Sequence, residues 1–158
     1  MPHDDDVRLV EVRPHRTAVI AATVDMVDFP NLWAPLLDEV YEFVRACPEF
    51  AAATAGTQGP HWQNVMLYRD RPPNVEVGVL APCPFAPQGR VIESDLPGGR
   101  AATAVHHGDP REIGTTHDAV RAYLRSHTLE PTGVVWEIYG HPDESSGAFA
   151  TEVFHLVA

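Results

Sequence analysis

The order of predicted secondary structure is repeated along this chain of 158 residues, and that repeat most restricts how it can fold. In the first half, β-branched segments precede and follow an amphipathic helix whose apolar residues recur at helical spacing from Ala34 to Ala46. The second half gives the strands "RVIESDL" and "RAATAVHH", a helix near residues 113–126, and the strands "GVVWEIYG" and "AFATEVFHLV". Each half is therefore predicted to be β-β-α-β-β, and neither is long enough to bury a helix and a sheet comfortably alone.

The repeat predicts one α+β domain over residues 1–158, built from two pseudo-symmetric halves with two main helices outside. The first half spans about 7–81 and the second about 90–158. Between them, the prolines of "APCPFAPQG" exclude regular structure, so residues 82–89 are predicted to be a connector. The segment "VRLVEVRPHRTAVIAATV" predicts an opening β-hairpin that turns near Pro14.

Composition restricts the class of partner. Eleven basic against 22 acidic residues give a net charge of −11, which repels phosphate backbones and disfavours nucleic acid, although such a charge can also serve solubility alone. No apolar run approaches the ~20 residues of a membrane-spanning helix, and "MPHDDDVR" lacks the features of a signal peptide. The sequence therefore predicts a cytoplasmic protein that binds no membrane, and its two separate cysteines predict no disulfide framework.

Motifs for metals, cofactors and nucleophiles are missing from the sequence. His106, His107, His117 and Glu112 cluster along the chain, but there is no HxH, no HExxH and no pair of histidines four residues apart on a helix. A GxSxG elbow and the glycine-rich phosphate loops are also missing. We therefore expect no metal and no cofactor, and the acids and aromatic residues on strands remain as candidates.

Glu137 stands out among these, because it lies at the centre of the apolar strand "VVWEIYG". Alternation places Val135, Glu137 and Tyr139 on one face of the strand, and Trp136 with its neighbours on the other face, which we expect to pack against a helix. A buried, ionised glutamate without a partner costs several kcal/mol unless its pKa rises or a cation binds beside it. By contrast, Glu76 and Glu152 are expected on the solvent-facing sides of alternating strands.

The repeat places a second set of side chains on the face equivalent to that of Glu137. Trp62, Met66 and Tyr68 belong to this set in the first half, and Trp33, just before the first predicted helix, is a further candidate. Each aromatic residue alone is also compatible with a place in the core. Together, two such faces across a pseudo-two-fold axis would form a cleft with aromatic rings, a flexible thioether and one carboxylate. Such a cleft is typical of a receptor for a flat, apolar and cationic ligand.

The order of these elements, with "VWEIYGHPDESSGAFATEVFHLV" and "NVEVGVLAP", resembles the GyrI-like small-molecule-binding domain from Val7 to the C-terminus. This family includes gyrase-inhibitory proteins and the effector-binding domains of AraC-type and MerR-type multidrug regulators. The resemblance implies curved antiparallel sheets around a central pocket, in which the acid matching Glu137 contacts lipophilic cations among aromatic side chains. Tyr139, Tyr68 and Trp62 lie where pocket residues are expected. Only six residues precede the first strand, which predicts a standalone member.

Three functions follow as hypotheses. The first is a binding protein for amphipathic, cationic or polyaromatic drug-like compounds, acting in sequestration or resistance. The second is a hydrolase that opens cyclopropane-containing natural products, with Glu137 as base and Tyr139 as a hydrogen-bond donor. The third is a protein-binding regulator, such as a gyrase inhibitor, whose acidic surface contacts a basic partner. Whether the protein is an enzyme stays open at this point.

Overall fold

The computed structural model describes residues 7–25, 27–55, 62–69, 74–140 and 150–158. The first half contains β1 (Arg8–Val12), β2 (His15–Thr23), α1 (Phe29–Ala46), α2 (Pro48–Thr54), β3 (Asn64–Tyr68) and β4 (Asn74–Leu80). The second contains β5 (Val91–Leu96), β6 (Gly99–His107), a 3₁₀ turn (Pro110–Glu112), α3 (Ile113–Ser126), β7 (Pro131–Tyr139) and β8 (Ala150–Val157). The predicted β-β-α-β-β order is confirmed in both halves, and the first half adds the short helix α2.

The eight strands form one antiparallel sheet in the order β1-β6-β8-β7-β3-β4-β2-β5. Exchanging every strand with its counterpart in the other half reverses this order onto itself. A pseudo-two-fold axis therefore passes between β7 and β3 at the centre of the sheet. The predicted α+β class and antiparallel pairing are confirmed, and the sheets of the two halves are continuous with each other.

The opening strands do not form the predicted hairpin. β1 pairs with β6, whereas β2 pairs with β4 and β5, so each half exchanges a strand with the other. Val12 lies opposite Gly99 in the β1–β6 pairing, and His15 lies opposite Leu96 in the β2–β5 pairing. The register of the first pairing therefore continues into the second, although both chain segments turn a corner between them. At that corner a Cβ on Gly98 would lie only 2.5 Å from Cδ of Pro14. The prediction was wrong because Pro14 turns the chain at a corner between two pairings instead of closing a two-residue hairpin, which favours Asn or Gly.

Helix α1 begins five residues before the apolar pattern that predicted it. Pro35 lies inside the helix, where its missing N–H leaves the carbonyl of Asn31 without its usual partner. Both residues are exposed, so water can satisfy that carbonyl. The helix ends where Pro48 follows Cys47, as proline at this point predicts.

All three helices cover the same face of the sheet. α1 and α2 pack on the β2 and β4 side, and α3 packs on β6 and β8. The other face holds a core without helical residues, in which Trp136 stacks on Phe154 at 5.2 Å between ring centroids. The expectation that the Trp136 face packs against a helix was therefore wrong. Val19 on β2 and Leu96 on β5, near one edge of the sheet, share this core with Trp136 on the central strand β7. The sheet is therefore curved so that its own strands cover this face.

None of the helices in the described part of the chain combines the length and the hydropathy that crossing a bilayer requires.

Candidate functional site

Glu137 and Met66 lie directly opposite each other in the β7–β3 pairing, at the pseudo-two-fold axis. Two residues further along each strand stand Tyr139 and Tyr68, which the repeat relates to each other. Because side chains two apart share a face, all four point to the helix-covered side of the sheet. The strand pairing therefore brings one carboxylate, one thioether and two phenols together.

The carboxylate of Glu137 is buried, with 3% of the residue exposed, and its hydrogen bonds are made within the protein. The hydroxyl of Tyr139 donates to Oε1 at 2.7 Å, and that of Tyr68 donates to the same oxygen at 3.3 Å. Nε2 of His117 lies 2.7 Å from Oε2. Two phenols and an imidazole thus take the place of bulk water around this acid.

A second histidine continues this network away from the carboxylate. Nδ1 of His117, on α3, lies 2.8 Å from Nε2 of His155, on β8. Burial, together with smaller contributions from the neighbouring His117 and Arg121, lowers the pKa of His155 to about 3. His155 is therefore neutral near pH 7, and its ring nitrogen can hydrogen-bond His117 without adding a charge.

The two tyrosines that contact Glu137 are kept protonated by their surroundings. Burial, followed by the negative charge of Glu137, raises the pKa of Tyr68 and of Tyr139 well above the ordinary phenol value. The sulfur of Met66 lies 3.8 Å from the hydroxyl of Tyr68 and 3.9 Å from that of Tyr139. Both phenols therefore stay protonated near neutral pH and can donate to the carboxylate.

An open cleft of about 800 Å³ lies between α3 and the strands at the centre of the sheet. Its deep end contains Glu137, His117 and His155, and Arg121 and Arg125 line it nearer the solvent. Apolar residues from α3, β4, β7, β8 and the segment before β7 supply much of the wall: Val75, Leu124, Leu129, Pro131, Val134, Val135 and Leu156. The volume lies within the range of small-molecule sites, ~300–1,000 Å³.

A β-bulge in β7 shapes one side of this cleft. The register against β8 shifts between Pro131 and Val135, and Gly133 takes the positive φ of 94° that a residue without a Cβ tolerates. Thr132 fixes the bulge, since its Oγ1 donates to the carbonyl of Leu156 and accepts from the amide of Val134, both at 3.1 Å. The cleft wall is thus held by local hydrogen bonds.

The candidates named from the sequence take three different positions. Glu137 and Tyr68 line the cleft, whereas Tyr139 and Met66 lie behind its surface and contact Glu137 or Tyr68. Trp62 packs near Tyr41 and Phe50 in the core beneath α1 and α2. Trp33 is 38% exposed on α1. Neither tryptophan is among the described residues that line the cleft.

Sequence reasoning missed both histidines of the network. His117 entered only as a member of a rejected metal cluster, and His155 was not considered. The signal for His117 was its spacing, because it shares the buried face of α3 with Val120 and Leu124. Among the described residues, no three His, Cys, Asp or Glu side chains are grouped so that they could hold a metal ion.

Glu76 is a second buried acid, but its surroundings differ. It was expected on a solvent-facing side, yet it is 8% exposed, hydrogen-bonded by Arg69 and by the hydroxyl of Ser94 at 2.7 Å. That expectation was wrong because the helix-free face of the curved sheet is covered by other strands. The guanidinium of Arg69 already neutralises Glu76, so these two side chains form a structural ion pair. Glu152 is half-buried on β8.

Comparison with known proteins identifies the fold. No protein-family model matches the chain, and no curated protein matches it in sequence. The EcmrR C-terminal domain matches at a TM-score of 0.72 with 19% identity, covering 96% of each chain. The chain has the GyrI-like fold.

The names of two further structures with this fold indicate a function for those proteins. A hydrolase from Listeria innocua matches with a TM-score of 0.64 and 11% identity, over 100% of this chain and 94% of that one. SAV2435, solved with tetraphenylphosphonium bound, matches with a TM-score of 0.57 and 11% identity, over 96% and 93%. The TM-scores support the shared GyrI-like fold. Because the identities are this low, the activity of this chain has to be argued from its own residues.

Proposed function

We propose that the protein binds an amphipathic small molecule in the cleft beside α3, with Glu137 meeting a positively charged or hydrogen-bond-donating group of that molecule. The observation that carries this proposal is the position of the Glu137 carboxylate, buried at the deep end of an otherwise largely apolar cleft of about 800 Å³. A largely apolar cleft with a small number of placed polar groups is the usual form of a small-molecule site.

The hydrogen bonding of Glu137 leaves room for a ligand. An ionised carboxylate accepts about four hydrogen bonds, and Tyr68, Tyr139 and His117 account for three. One acceptor position therefore remains for a donor on the ligand. A cation that cannot donate would still gain from the charge, since water is largely excluded from the deep end of the cleft.

The comparison with SAV2435 supports the cationic part of this proposal. That protein has the same fold and was solved with tetraphenylphosphonium, which is a lipophilic cation. Tyr68 also lines the cleft, and aromatic rings attract cations. The preference for amphipathic cations thus rests on the local chemistry and on one structural relative.

Isothermal titration calorimetry tests the proposal with two probes: tetraphenylphosphonium, and a biphenyl that carries an aminomethyl group at one end. Glu137→Gln keeps the size of the side chain and removes its charge, and we expect it to weaken binding at least tenfold, which corresponds to about 1.4 kcal/mol. Glu152→Gln is the matched control, because it makes the same change on β8 outside the cleft. Equal affinity of the wild type and Glu137→Gln, with both folded by circular dichroism, would contradict the assigned role.

Hydrolysis is the second candidate, and the network behind the carboxylate favours it. Tyr139 orients Glu137, and the contacts from His117 to His155 offer a path for a proton. In a ring-opening reaction Glu137 would take a proton from water as the oxygen adds to a strained carbon, and the electrons of the broken bond would be protonated on the leaving side. Chromatography of a cyclopropane-bearing aromatic substrate should then show a hydrated product that Glu137→Gln does not form. The protein-binding regulator remains a prediction from the acidic sequence.

A further inference from the structure

Helix α3 presents a row of nitrogen-bearing side chains to the cleft. His117, Arg121 and Arg125 all line it, and their spacing of four residues places them along one side of the helix. At a rise of ~1.5 Å per residue, Arg125 lies about 12 Å along the helix axis from His117, which contacts Glu137. The cleft therefore has a carboxylate at its deep end and guanidinium groups toward the solvent.

This charge pattern runs against that of the whole molecule. The chain has twice as many acidic as basic residues, 22 against 11. The described residues that line the cleft nevertheless include two arginines and a single acid, Glu137. A cleft for simple cations would gain nothing from two guanidinium groups along their path, since like charges repel.

The contacts of the two arginines within the protein do not account for their place in the cleft. Arg121 pairs with Asp118 at 3.1 Å, but their side chains are 46% and 79% exposed, and such surface pairs contribute little. Within the described ranges, Arg125 forms no ion pair. Its place in the last turn of α3 suits the helix dipole, but that effect cannot explain Arg121, one turn earlier.

We propose that the natural ligand is an elongated zwitterionic amphipath. Its positive or donating group meets Glu137, its apolar body lies against side chains such as Leu124 and Val135, and an anionic group reaches Arg121 and Arg125. A carboxylate, a phosphate or a sulfonate would satisfy guanidinium groups through charge-assisted hydrogen bonds. This inference rests on the function proposed above and adds the second pole of the ligand.

The test compares two probes that differ only at the outer end. One is the aminomethyl biphenyl already described, and the other carries in addition a carboxylate at the far end of the biphenyl. Calorimetry on the wild type should show at least tenfold tighter binding of the zwitterionic probe. In the double variant Arg121→Gln/Arg125→Gln this advantage should be lost, while the affinity for the plain amine stays the same or rises. Arg45→Gln, which removes the arginine in the last turn of α1, is the matched control and should keep the advantage.

The outcomes separate the inference from the function on which it rests. If the amine binds and Glu137→Gln weakens it, but the added carboxylate brings no gain, the binding function holds and the zwitterionic ligand is refuted. A gain that persists in the double variant refutes the role of the two arginines. If neither probe binds the wild-type protein, the binding function fails and this inference fails with it.

Discussion

His155 is held uncharged in the folded protein, and this should make the stability of the fold depend on pH. Folding lowers the pKa of this buried ring from 6.5 to about 3. As the pH falls below about 6.5, the ring takes up a proton in the unfolded chain but not in the folded one. The unfolded state then binds more protons, so the free energy of unfolding decreases as the pH falls.

The size of this effect follows from the change in pKa. Each pH unit between 6.5 and 3 corresponds to about 1.4 kcal/mol for one group. Because the unfolded ring is only half protonated at pH 6.5, the contribution of His155 should decrease by about 2 kcal/mol between pH 6.5 and pH 4.5. That is a large share of the ~5–15 kcal/mol by which domains of this kind are stable.

Urea unfolding followed by circular dichroism, at pH values from 7 to 4.5, measures this contribution. His155→Gln replaces the imidazole with an amide that can hydrogen-bond Nδ1 of His117 and cannot titrate in this range. Relative to the variant, the wild type should lose unfolding free energy as the pH falls below 6.5, with a slope that approaches about 1.4 kcal/mol per pH unit. His107→Gln is the control, because that side chain is exposed on β6. A difference between wild type and His155→Gln that stays constant down to pH 4.5 would refute the reasoning.

Two further predictions concern packing and are checked by the same unfolding measurement at pH 7. Trp136→Ala, which removes a fully buried ring stacked on Phe154, should cost about 3–5 kcal/mol, and an effect below 1 kcal/mol would mean that the helix-free core is loosely packed. Gly78→Ala should cost about 3 kcal/mol or more, because its Cβ would lie 1.9 Å from the carbonyl oxygen of Ala18. Gly114→Ala, whose Cβ meets nothing within 4 Å, should instead raise the free energy of unfolding by about 0.4–1 kcal/mol. Equal effects at the two glycines would contradict this account.

Local sequence patterns predicted the parts of the structure that depend on neighbouring residues. The alternation in "VVWEIYG" correctly placed Glu137 and Tyr139 on one face, and the repeat correctly related Tyr139 to Tyr68. The strand exchange between the halves was not predictable in this way, because the choice between β2 and β6 as the partner of β1 depends on contacts far apart in sequence. The same reason explains why Trp136 was assigned to the wrong kind of core.

The missed histidines show the same limit within the site. Spacing identifies His117 as a residue on the buried face of α3, but its partners lie on β7 and β8. Only the packing of α3 on the sheet decides that its imidazole reaches Glu137 on one side and His155 on the other. The pKa of His155 depends on that packing as well, since burial is the main cause of its decrease.

The pseudo-symmetry of the fold explains why the site needs two unlike halves. The axis passes between Met66 and Glu137, which face each other across β3 and β7, so a symmetric pair would place two acidic side chains side by side, with Cβ atoms about 5 Å apart. Like charges at that distance cannot both ionise in a buried site, and one would stay protonated. Met66 in place of a second acid leaves one carboxyl group, which accepts hydrogen bonds from both tyrosines.

The helices on the two sides of the axis also differ from each other. On the first-half side, Phe29 packs edge-on against Tyr68 at 6.1 Å between ring centroids, and Tyr41 packs against Trp62 at 6.2 Å. No described residue of α1 or α2 lines the cleft, whereas α3 supplies His117, Arg121 and Arg125. Aromatic packing thus fills one side of the axis and a polar helix lines the other. The duplication therefore keeps the strand order in both halves, while the unlike helices leave a cleft that, among the described residues, receives polar helical side chains from α3 alone.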